Sequence, residues 1–413
     1  MQRAPRTMRW SVKAWGLALC FVSCLFFVAF QGGKLSLMLL IIISTLSVYL
    51  LLGRWSGISS ARGRREIGGV AGGATLQAGS ALRANIRVDI PGIWPIPYVT
   101  VKDRLAKVGG ETQTYEGTFV PDWKRRGELT YVTPPLGRGL YKFEAVQCVT
   151  QDIFGLFEHA GTIEMPLTFS VLPRTVRIPE WRELRTLFKG HHQQSSVNGS
   201  QRETTQINGV REYIYGDRLA KVHWNATART GHWKSKEFER ESLPKLTIVL
   251  DRQTNAYRTS QQFELAVSVA ASLLQFSASR GMATGFLSVG GGRAFSAPPG
   301  GYETRKRIEQ HLIEVQPDPK GDPIRLLRDR SRLPSTGSLV VLVSPQRGES
   351  LMKLLKWLDV NGVSACHMWI NPETNAGAGG KDDWAAALRS VGVASYNIRQ
   401  LEELPLLLGG KSG

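Results

Sequence analysis

Two long uncharged stretches near the N-terminus constrain the fold of this chain more than any other feature. Residues 14–30 and 35–52 carry no charged side chain, and only Gln31-Gly32-Gly33-Lys34 separates them. As a helix, each stretch would span roughly 26 Å, close to the ~30 Å hydrocarbon core of a bilayer. A cleaved signal peptide is the alternative for the first stretch, but no small-residue cleavage site precedes the second. The pattern predicts an N-terminal transmembrane helical hairpin over residues 1–54.

The charges around these stretches predict the orientation of the chain. Basic residues precede the first stretch and follow the second, whereas the turn between them carries only Lys34. The positive-inside rule then places both termini in the cytoplasm of a multi-pass protein of the cell membrane. The four cysteines agree with a reducing compartment, since they form no CxxC pair and no zinc-ligand spacing.

The net charge of +18 reflects 52 basic against 34 acidic residues. Beyond the first 65 residues the basic side chains are mixed with acids, and no basic run interleaves with aromatic residues as in proteins that follow a nucleic-acid strand. Attraction to an anionic membrane leaflet accounts for part of the excess. We therefore expect a membrane partner and no specific nucleic-acid binding.

Short alternating stretches divided by turn residues follow a basic linker at 55–66. They lie at 84–90, 98–105, 113–119, 127–133, 140–149 and 167–172. Strands at this spacing predict an antiparallel β-sandwich over residues 67–173.

The hydrophobic period changes in the C-terminal part of the chain. Near-continuous apolar runs at 246–250, 284–289, 339–343 and 365–370 alternate with amphipathic helical segments. Strands buried on both faces and separated by helices are typical of a parallel sheet. Residues 244–408 are therefore predicted to form an α/β domain of the Rossmann type, which makes the chain multidomain.

Residues 174–243 carry the densest group of polar and aromatic side chains. Those singled out are Arg211, Tyr213, Gly216, Asp217, His223, Trp224, Thr227, Arg229, Lys236, Glu237, Phe238 and Glu239. Gly216-Asp217 is predicted to be a turn that ends in a helix N-cap, and Gly231 is placed to end that helix. Residues 233–241 then alternate as in a strand.

Two hypotheses explain these residues. In the first, which the rarity of unpaired buried charges favours, they form a buried ion and hydrogen-bond network that fixes how the segment docks. In the second, they gather into a polar site for a ligand or a protein partner.

The order of these residues resembles the central signature of the DUF58 family. The resemblance rests on Arg211-Glu-Tyr-Ile-Tyr-Gly-Asp217, on Lys221-Val-His-Trp-Asn-Ala-Thr-Ala-Arg229 and on Lys234-Ser-Lys-Glu-Phe-Glu239. Lys221 stands where arginine is usual, which keeps the charge and loses the planar fork. Further markers of the family are Arg138-Gly-Leu-Tyr141, Asp152-Ile-Phe-Gly-Leu-Phe157 and Val171-Leu-Pro173.

The resemblance implies that the C-terminal domain is similar to a von Willebrand factor A domain. Such domains often bind magnesium through an Asp-x-Ser-x-Ser motif after the first strand and an aspartate after a central strand. Here Asp251, Gln253 and Asn255 occupy the motif, and Ser344-Pro345 follows the central strand. With amides in place of both serines, we expect a degenerate site that holds no metal, and no other cofactor is predicted.

The resemblance also implies a partner, since members of the family are commonly associated with MoxR-type AAA+ ATPases. The leading expectation is a non-enzymatic, membrane-anchored interaction or scaffold protein that works with such an ATPase in assembly or remodelling of envelope proteins. No Gly-x-Ser-x-Gly elbow or phosphate-binding loop is present. The alternative is a hydrolase or ligand-binding enzyme that uses His223, Asp217 and the nearby glutamates.

Overall fold

The computed structural model describes most of the chain in two compact units, Met1–Leu172 and Pro173–Gly413. The described residues are 12–53, 56–68, 76–155, 157–182, 184, 201–215, 219, 222–242, 245–290, 295–319, 338–371 and 383–409. Within these, the side chains of 12–14, 51, 201–209, 237–242, 299 and 383 are not described.

The first unit begins with two helices, α1 (Val12–Gln31) and α2 (Lys34–Leu52). Gly32 and Gly33, with φ values of 62° and 92°, make the turn between them. Across the described part of the chain, no helix is both long enough and apolar enough to cross a membrane, so the predicted transmembrane hairpin is wrong.

Two β-sheets form the rest of the first unit. Their strands are β1 (Arg62–Gly68), β2 (Leu76–Gln77), β3 (Arg83–Asp89), β4 (Val99–Lys107), β5 (Thr112–Phe119), β6 (Arg126–Val132), β7 (Gly139–Phe143), β8 (Val146–Gln151), β9 (Glu158–Ile163) and β10 (Leu167–Leu172). One sheet has the order β1-β3-β6, and the other has the order β2-β10-β7-β4-β8-β9, with β5 also paired to β4. All pairs are antiparallel except β2 with β10. Strand β1 occupies part of the predicted linker.

The two sheets pack face to face because their strands alternate. Ile86 and Val88 of β3 are buried in one cluster with Val99 and Val101 of β4. The residues between them point outward, as the burial pattern of β3 shows. This alternation makes a common core between the sheets.

The second unit contains a six-stranded sheet with helices on both faces. Its strands are β13 (Lys245–Asp251), β14 (Ala283–Val289), β15 (Phe295–Gly300), β16 (Leu339–Ser344), β17 (Ser364–Ile370) and β18 (Ala394–Ile398). The order is β15-β14-β13-β16-β17-β18, and every pair is parallel except β14 with β15. The helices are α4 (Ser260–Ser279), α5 (Tyr302–Glu314), α6 (Glu349–Val360), α7 (Asp383–Arg389) and α8 (Leu404–Gly409).

Strand β13 shows why both faces are covered. Ile248 and Leu250 pack in a core that includes Phe263 of α4, whereas Val249 packs in a second core that includes Leu354 of α6. A strand that is buried on both faces needs an unbroken apolar run, and this is the pattern that the sequence shows.

A separate two-stranded antiparallel sheet precedes β13. It pairs β11 (Gln201–Glu212) with β12 (Lys234–Ser242). A short helix, α3 (Trp224–Thr230), lies in the connection between these strands. We call strands β11 and β12 together with their connection the arm.

Candidate functional site

Helix α3 of the arm begins later than the sequence predicted. His223 is its N-cap, because His223 Nδ1 accepts a hydrogen bond from the Ala226 amide at 3.1 Å. The prediction of a single helix between Asp217 and Gly231 is wrong, since Val222 forms an antiparallel bridge with Ser235. The predicted end is confirmed. Gly231 has φ 69° and donates its amide to Thr227 O.

Backbone hydrogen bonds attach α3 to the strand that follows it. The His223 amide donates to Lys234 O at 2.8 Å, and Thr227 Oγ1 accepts from the Lys234 amide at 3.0 Å. The Tyr213 amide donates to Trp233 O at 2.9 Å, which continues the pairing of β11 with β12. The His223 amide and the Thr227 hydroxyl therefore attach α3 to β12, and these contacts explain why the two residues are four positions apart.

Large apolar side chains are exposed along the same connection. Ile214 is 64% exposed, Tyr215 101%, Leu219 62%, Trp224 61% and Trp233 50%. We call these five residues the aromatic arm surface. Exposed apolar side chains that adjoin one another mark interaction sites more often than single exposed residues do, and Trp224 and Trp233 adjoin here.

The aromatic rings of the arm support one another. The Trp233 ring lies 5.3 Å from the Tyr213 ring and 6.1 Å from the Trp224 ring, measured between centroids. Offset and edge-to-face contacts at these distances hold rings in defined orientations. The sequence analysis did not single out Trp233, although its place between Gly231 and an alternating strand was visible.

Among the described charged residues of the signature, Glu212 and Arg229 are exposed, whereas Arg211, Lys234 and Lys236 are half-buried. Arg211 Nη1 donates to the carbonyl of Glu212 at 3.0 Å, and Arg229 is exposed in the last turn of α3. Lys234 Nζ lies 3.2 Å from Glu212 Oε1, whose carboxylate is 83% exposed. Lys236 is half-buried. Gly216 and Asp217, and the side chains of Glu237, Phe238 and Glu239, lie outside the described residues.

A second polar cluster lies where β13 and β16 end. Asp251 is fully buried, and its Oδ2 accepts from Ser344 Oγ at 2.8 Å while its Oδ1 accepts from the Gln253 amide at 2.9 Å. Gln253 Oε1 in turn accepts from Gln346 Nε2 at 2.7 Å. Parallel strands bring these residues together, because their carboxyl ends meet at one edge of the sheet.

This cluster corresponds to the predicted degenerate metal site. Both oxygens of Asp251 already accept hydrogen bonds, and Asn255 is exposed in a short 3-10 turn. The hydroxyl of Ser344 supplies the contact at the position where the metal-binding pattern has an aspartate. A hard cation would therefore have to displace a neutral donor and would meet one carboxylate, whereas divalent sites usually offer several oxygens. Across the described residues, no three His, Cys, Asp or Glu side chains come together.

His367 lies beside this cluster in β17 and is fully buried. Its Nε2 lies 3.3 Å from Ser344 O, and its Nδ1 accepts from Trp384 Nε1 at 3.2 Å. Burial lowers the pKa of His367 to about 4, because the cationic form is desolvated there. The sequence analysis missed His367, although a histidine inside an apolar strand was a visible signal.

Comparison with known proteins gives one family and one relative that matches most of the chain. Residues 209–363, which include the arm's connection, β13 and β16, match the family model described as "Protein of unknown function DUF58". The resemblance to the DUF58 family is thereby confirmed over these residues. The "Uncharacterized protein YeaD" of Bacillus subtilis (strain 168) is 27% identical over 360 residues, which is 84% of this chain and 86% of that protein.

Solved structures resemble the chain only weakly. Proximal thread matrix protein 1 from the mussel byssus has a TM-score of 0.29 and 14% identity, covering 41% of this chain and 47% of its own. The chain thus spans about half the length of that protein. An aerotolerance-related membrane protein from Bacteroides fragilis NCTC 9343 has a TM-score of 0.28 and 14% identity, covering 40% of this chain and 96% of its own.

Proposed function

We propose that this protein is a non-enzymatic interaction protein that binds its partner through the aromatic arm surface. The observation that carries the proposal is the exposure of five large apolar side chains on one connection, which the arm's own hydrogen bonds hold in place. Tyr and Trp supply much of the binding energy at protein interfaces, because each buries a large rigid surface at a small entropic cost.

The contacts of the signature support a surface more than a buried network. Of its described charged residues, Arg211 donates to a neighbouring carbonyl and Arg229 is exposed. Glu212 pairs with Lys234, and the two side chains are 83% and 21% exposed. Exposed pairs of this kind contribute only about 0–1 kcal/mol to stability. The exposed side chains of Glu212 and Arg229 are therefore placed to surround an apolar contact, as the polar rim of an interface does.

The enzyme alternative finds less support in the arm. A general base needs a free lone pair directed at a substrate. His223 Nδ1 instead accepts from the Ala226 amide, and Thr227 Oγ1 accepts from the Lys234 amide. Both side chains therefore already accept a hydrogen bond from a backbone amide of the arm.

A MoxR-type AAA+ ATPase remains the predicted partner, and that prediction rests on the family resemblance. In that pairing the ATPase would supply the energy, and this chain would present the arm to it or to an envelope protein. Assembly or remodelling of envelope proteins, and attachment to the cell membrane, likewise remain predictions from the sequence.

A binding experiment with purified components tests the proposal. The full chain is immobilised, and capture of the MoxR-type ATPase from the same organism is measured. We expect Tyr215→Ser and Trp224→Ser to reduce capture at least tenfold, as about 1.4 kcal/mol or more at an interface residue would. Tyr302→Ser is the matched control, because Tyr302 is an aromatic residue of the same unit that is 74% exposed and lies outside the arm.

Thermal melts of the same variants separate binding from folding. An exposed side chain contributes little to stability, so the melting temperature should stay close to that of the parent. Unchanged capture by both arm variants would refute the proposed surface. Hydrolytic turnover by the purified chain that disappears on His223→Gln, without a change in stability, would favour the enzyme alternative.

A further inference from the structure

The six-stranded sheet of the second unit ends in two unlike edges. Strand β15 forms one edge and carries Pro298 and Pro299, which have no amide hydrogen and so hinder the pairing of a further strand. Strand β18 forms the other edge, and its sequence, Ala394-Ser-Tyr-Asn-Ile398, contains no proline and no charged side chain. The β18 edge therefore lacks the features that commonly keep another strand from pairing.

Strand register shows which backbone groups of β18 face outward. Strand β18 runs parallel to β17, and the Asn371 amide at the end of β17 donates to Ile398 O at 2.9 Å. In a parallel pair, alternate residues direct both of their backbone groups to the neighbouring strand. Since Ile398 faces β17, Ser395 and Asn397 direct their amides and carbonyls away from it, towards the open edge.

The outward groups of Ser395 and Asn397 have no partner within the described residues. No hydrogen bond there reaches their backbone amides or carbonyls, whereas the next outward amide, that of Arg399, donates to Glu403 Oε2 at 3.3 Å. The side-chain oxygen of Asn397 is buried and also lacks a hydrogen-bond partner among these residues. Ser395 is only 9% exposed, and sheltered polar groups without partners are rare in proteins. They indicate an edge that receives a further hydrogen-bonding chain.

A groove of about 470 Å³ lies along this edge. Helix α7 contributes Ala385 and Arg389 to its lining, and α8 contributes Leu407. The two helices lie on opposite faces of the sheet, because Leu388 of α7 belongs to one core and Leu408 of α8 belongs to the other. The volume lies within the range of ligand-binding pockets. Helices on both sides of the edge suit a single extended chain better than the edge of a second folded sheet.

The two walls of the groove differ in chemistry. Arg389 is exposed in the last turn of α7, and no carboxylate of the described residues pairs with it. On the opposite wall, Leu407 is 37% exposed. Successive side chains of a strand point to opposite faces, so a chain paired with β18 presents one set of side chains to Arg389 and the alternate set to Leu407. An acidic side chain complements the guanidinium, and an apolar one complements the leucine.

We propose that β18 is a docking edge for an extended segment of a partner protein in which acidic and apolar residues alternate. The segment adds a seventh strand to the sheet in the groove between α7 and α8. The outward backbone groups of Ser395 and Asn397 bind its main chain, whereas Arg389 and Leu407 select its side chains. The floor is fixed, since Trp181 Nε1 donates to the hydroxyl of Tyr396 at 3.0 Å. This edge shares no residue with the aromatic arm surface and stands independently of it.

Fluorescence anisotropy with the purified full chain tests the proposal with two synthetic probes. One is the fluorescein-labelled peptide Val-Glu-Val-Glu-Val, and the other is Val-Lys-Val-Lys-Val, which keeps the strand pattern and reverses the charge. Ser395→Pro removes an outward amide and leaves the hydrogen bonds to β17 in place, since an edge strand tolerates proline where its amide faces outward. Ser395→Ala is the matched control, because it keeps the amide. Arg389→Glu reverses the charge of one wall at an exposed position.

We expect the parent to bind the glutamate peptide at least about tenfold more tightly than the lysine peptide. Ser395→Pro should weaken that binding about tenfold, and Ser395→Ala should change it less than about twofold. Arg389→Glu should reverse the preference between the two peptides. On binding of the glutamate peptide, amide hydrogen exchange should slow at Ser395 and Asn397.

Three outcomes would overturn the proposal. They are no saturable binding of either peptide, equal binding of the glutamate peptide by Ser395→Pro and Ser395→Ala, and a peptide preference that Arg389→Glu leaves unchanged. Sedimentation of the parent as a dimer that Ser395→Pro dissociates would also overturn it and assign the edge to a second copy of this chain. Thermal melts show that each variant is folded, and the charge reversal at Arg389 decides the matter if Ser395→Pro is not.

Discussion

Replacing Asp103 by alanine should destabilise the first unit strongly, because it breaks a buried ion pair. Arg65 and Asp103 are 2% and 0% exposed, and Arg65 Nη2 lies 2.6 Å from Asp103 Oδ1 while Arg65 Nε donates to Oδ2 at 3.2 Å. Tyr131 OH donates to Asp103 Oδ2 at 2.6 Å, and the Arg65 guanidinium lies 4.2 Å from the centroid of the Phe143 ring. These contacts link both sheets, since β1 and β6 belong to one and β4 and β7 to the other.

The magnitude follows from what the substitution leaves behind. Without Asp103, the Arg65 guanidinium keeps the carbonyls of Met165 and Glu144 and no counter-charge. Removing one partner of a buried pair costs about 3–5 kcal/mol. In a unit of this size each kcal/mol lowers the melting temperature by roughly 2–4 °C, so a loss of roughly 6–20 °C is expected. Tyr131→Phe removes one hydrogen bond to a charged group and should cost about 1.5–3 kcal/mol.

Scanning calorimetry measures the loss, and amide hydrogen exchange in β3 and β4 assigns the transition to the first unit. Glu116→Ala is the matched control. Glu116 of β5 pairs with Lys102 of β4 at 3.3 Å, but the two side chains are 53% and 38% exposed. That pair should contribute about 1 kcal/mol or less. An Asp103→Ala variant that loses no more stability than Glu116→Ala would refute the reasoning.

Three further predictions concern single sites. Because burial lowers the pKa of His367 in the folded protein, the unfolded chain takes up a proton at this residue first as the pH falls. The free energy of unfolding should therefore keep its full His367 contribution above about pH 6.5 and fall by about 3 kcal/mol towards pH 4. Urea unfolding at each pH should show a weaker decline for His367→Gln and an unchanged decline for the exposed control His232→Gln. Ser344→Ala should lower the free energy of unfolding by about 1–3 kcal/mol because buried Asp251 loses a hydrogen-bond donor. Titration calorimetry of the parent should show no tight magnesium binding, and saturable binding that disappears on Asp251→Ala would contradict this. Gly57→Ala should lower the melting temperature more than Gly79→Ala, because both glycines have positive φ but only at Gly57 would the new Cβ collide with the carbonyl of Pro91; equal losses would contradict this.

Strands that are buried on both faces were predictable from the sequence. The apolar runs at 246–250 and 339–343 correspond to β13 and β16, since a strand covered on both faces needs apolar residues at every position. Pairing order and the polar contacts between distant strands could not be derived. Arg65 illustrates this limit, because a basic residue in an arginine-rich stretch predicts a linker, whereas its partner Asp103 is 38 residues away.

The arm shows why the candidate site was harder to predict than the fold. Gly216-Asp217 has the composition of a turn and a helix cap, and local propensity therefore placed the helix start there. In the structure Val222 pairs with Ser235, and this strand-like contact delays the helix until His223 can cap it. The same delay gives His223 and Thr227 backbone partners and leaves Trp224 at the surface. His223 and Thr227 thus serve the local fold, and the exposed aromatic side chains of the arm are the part that we propose a partner contacts.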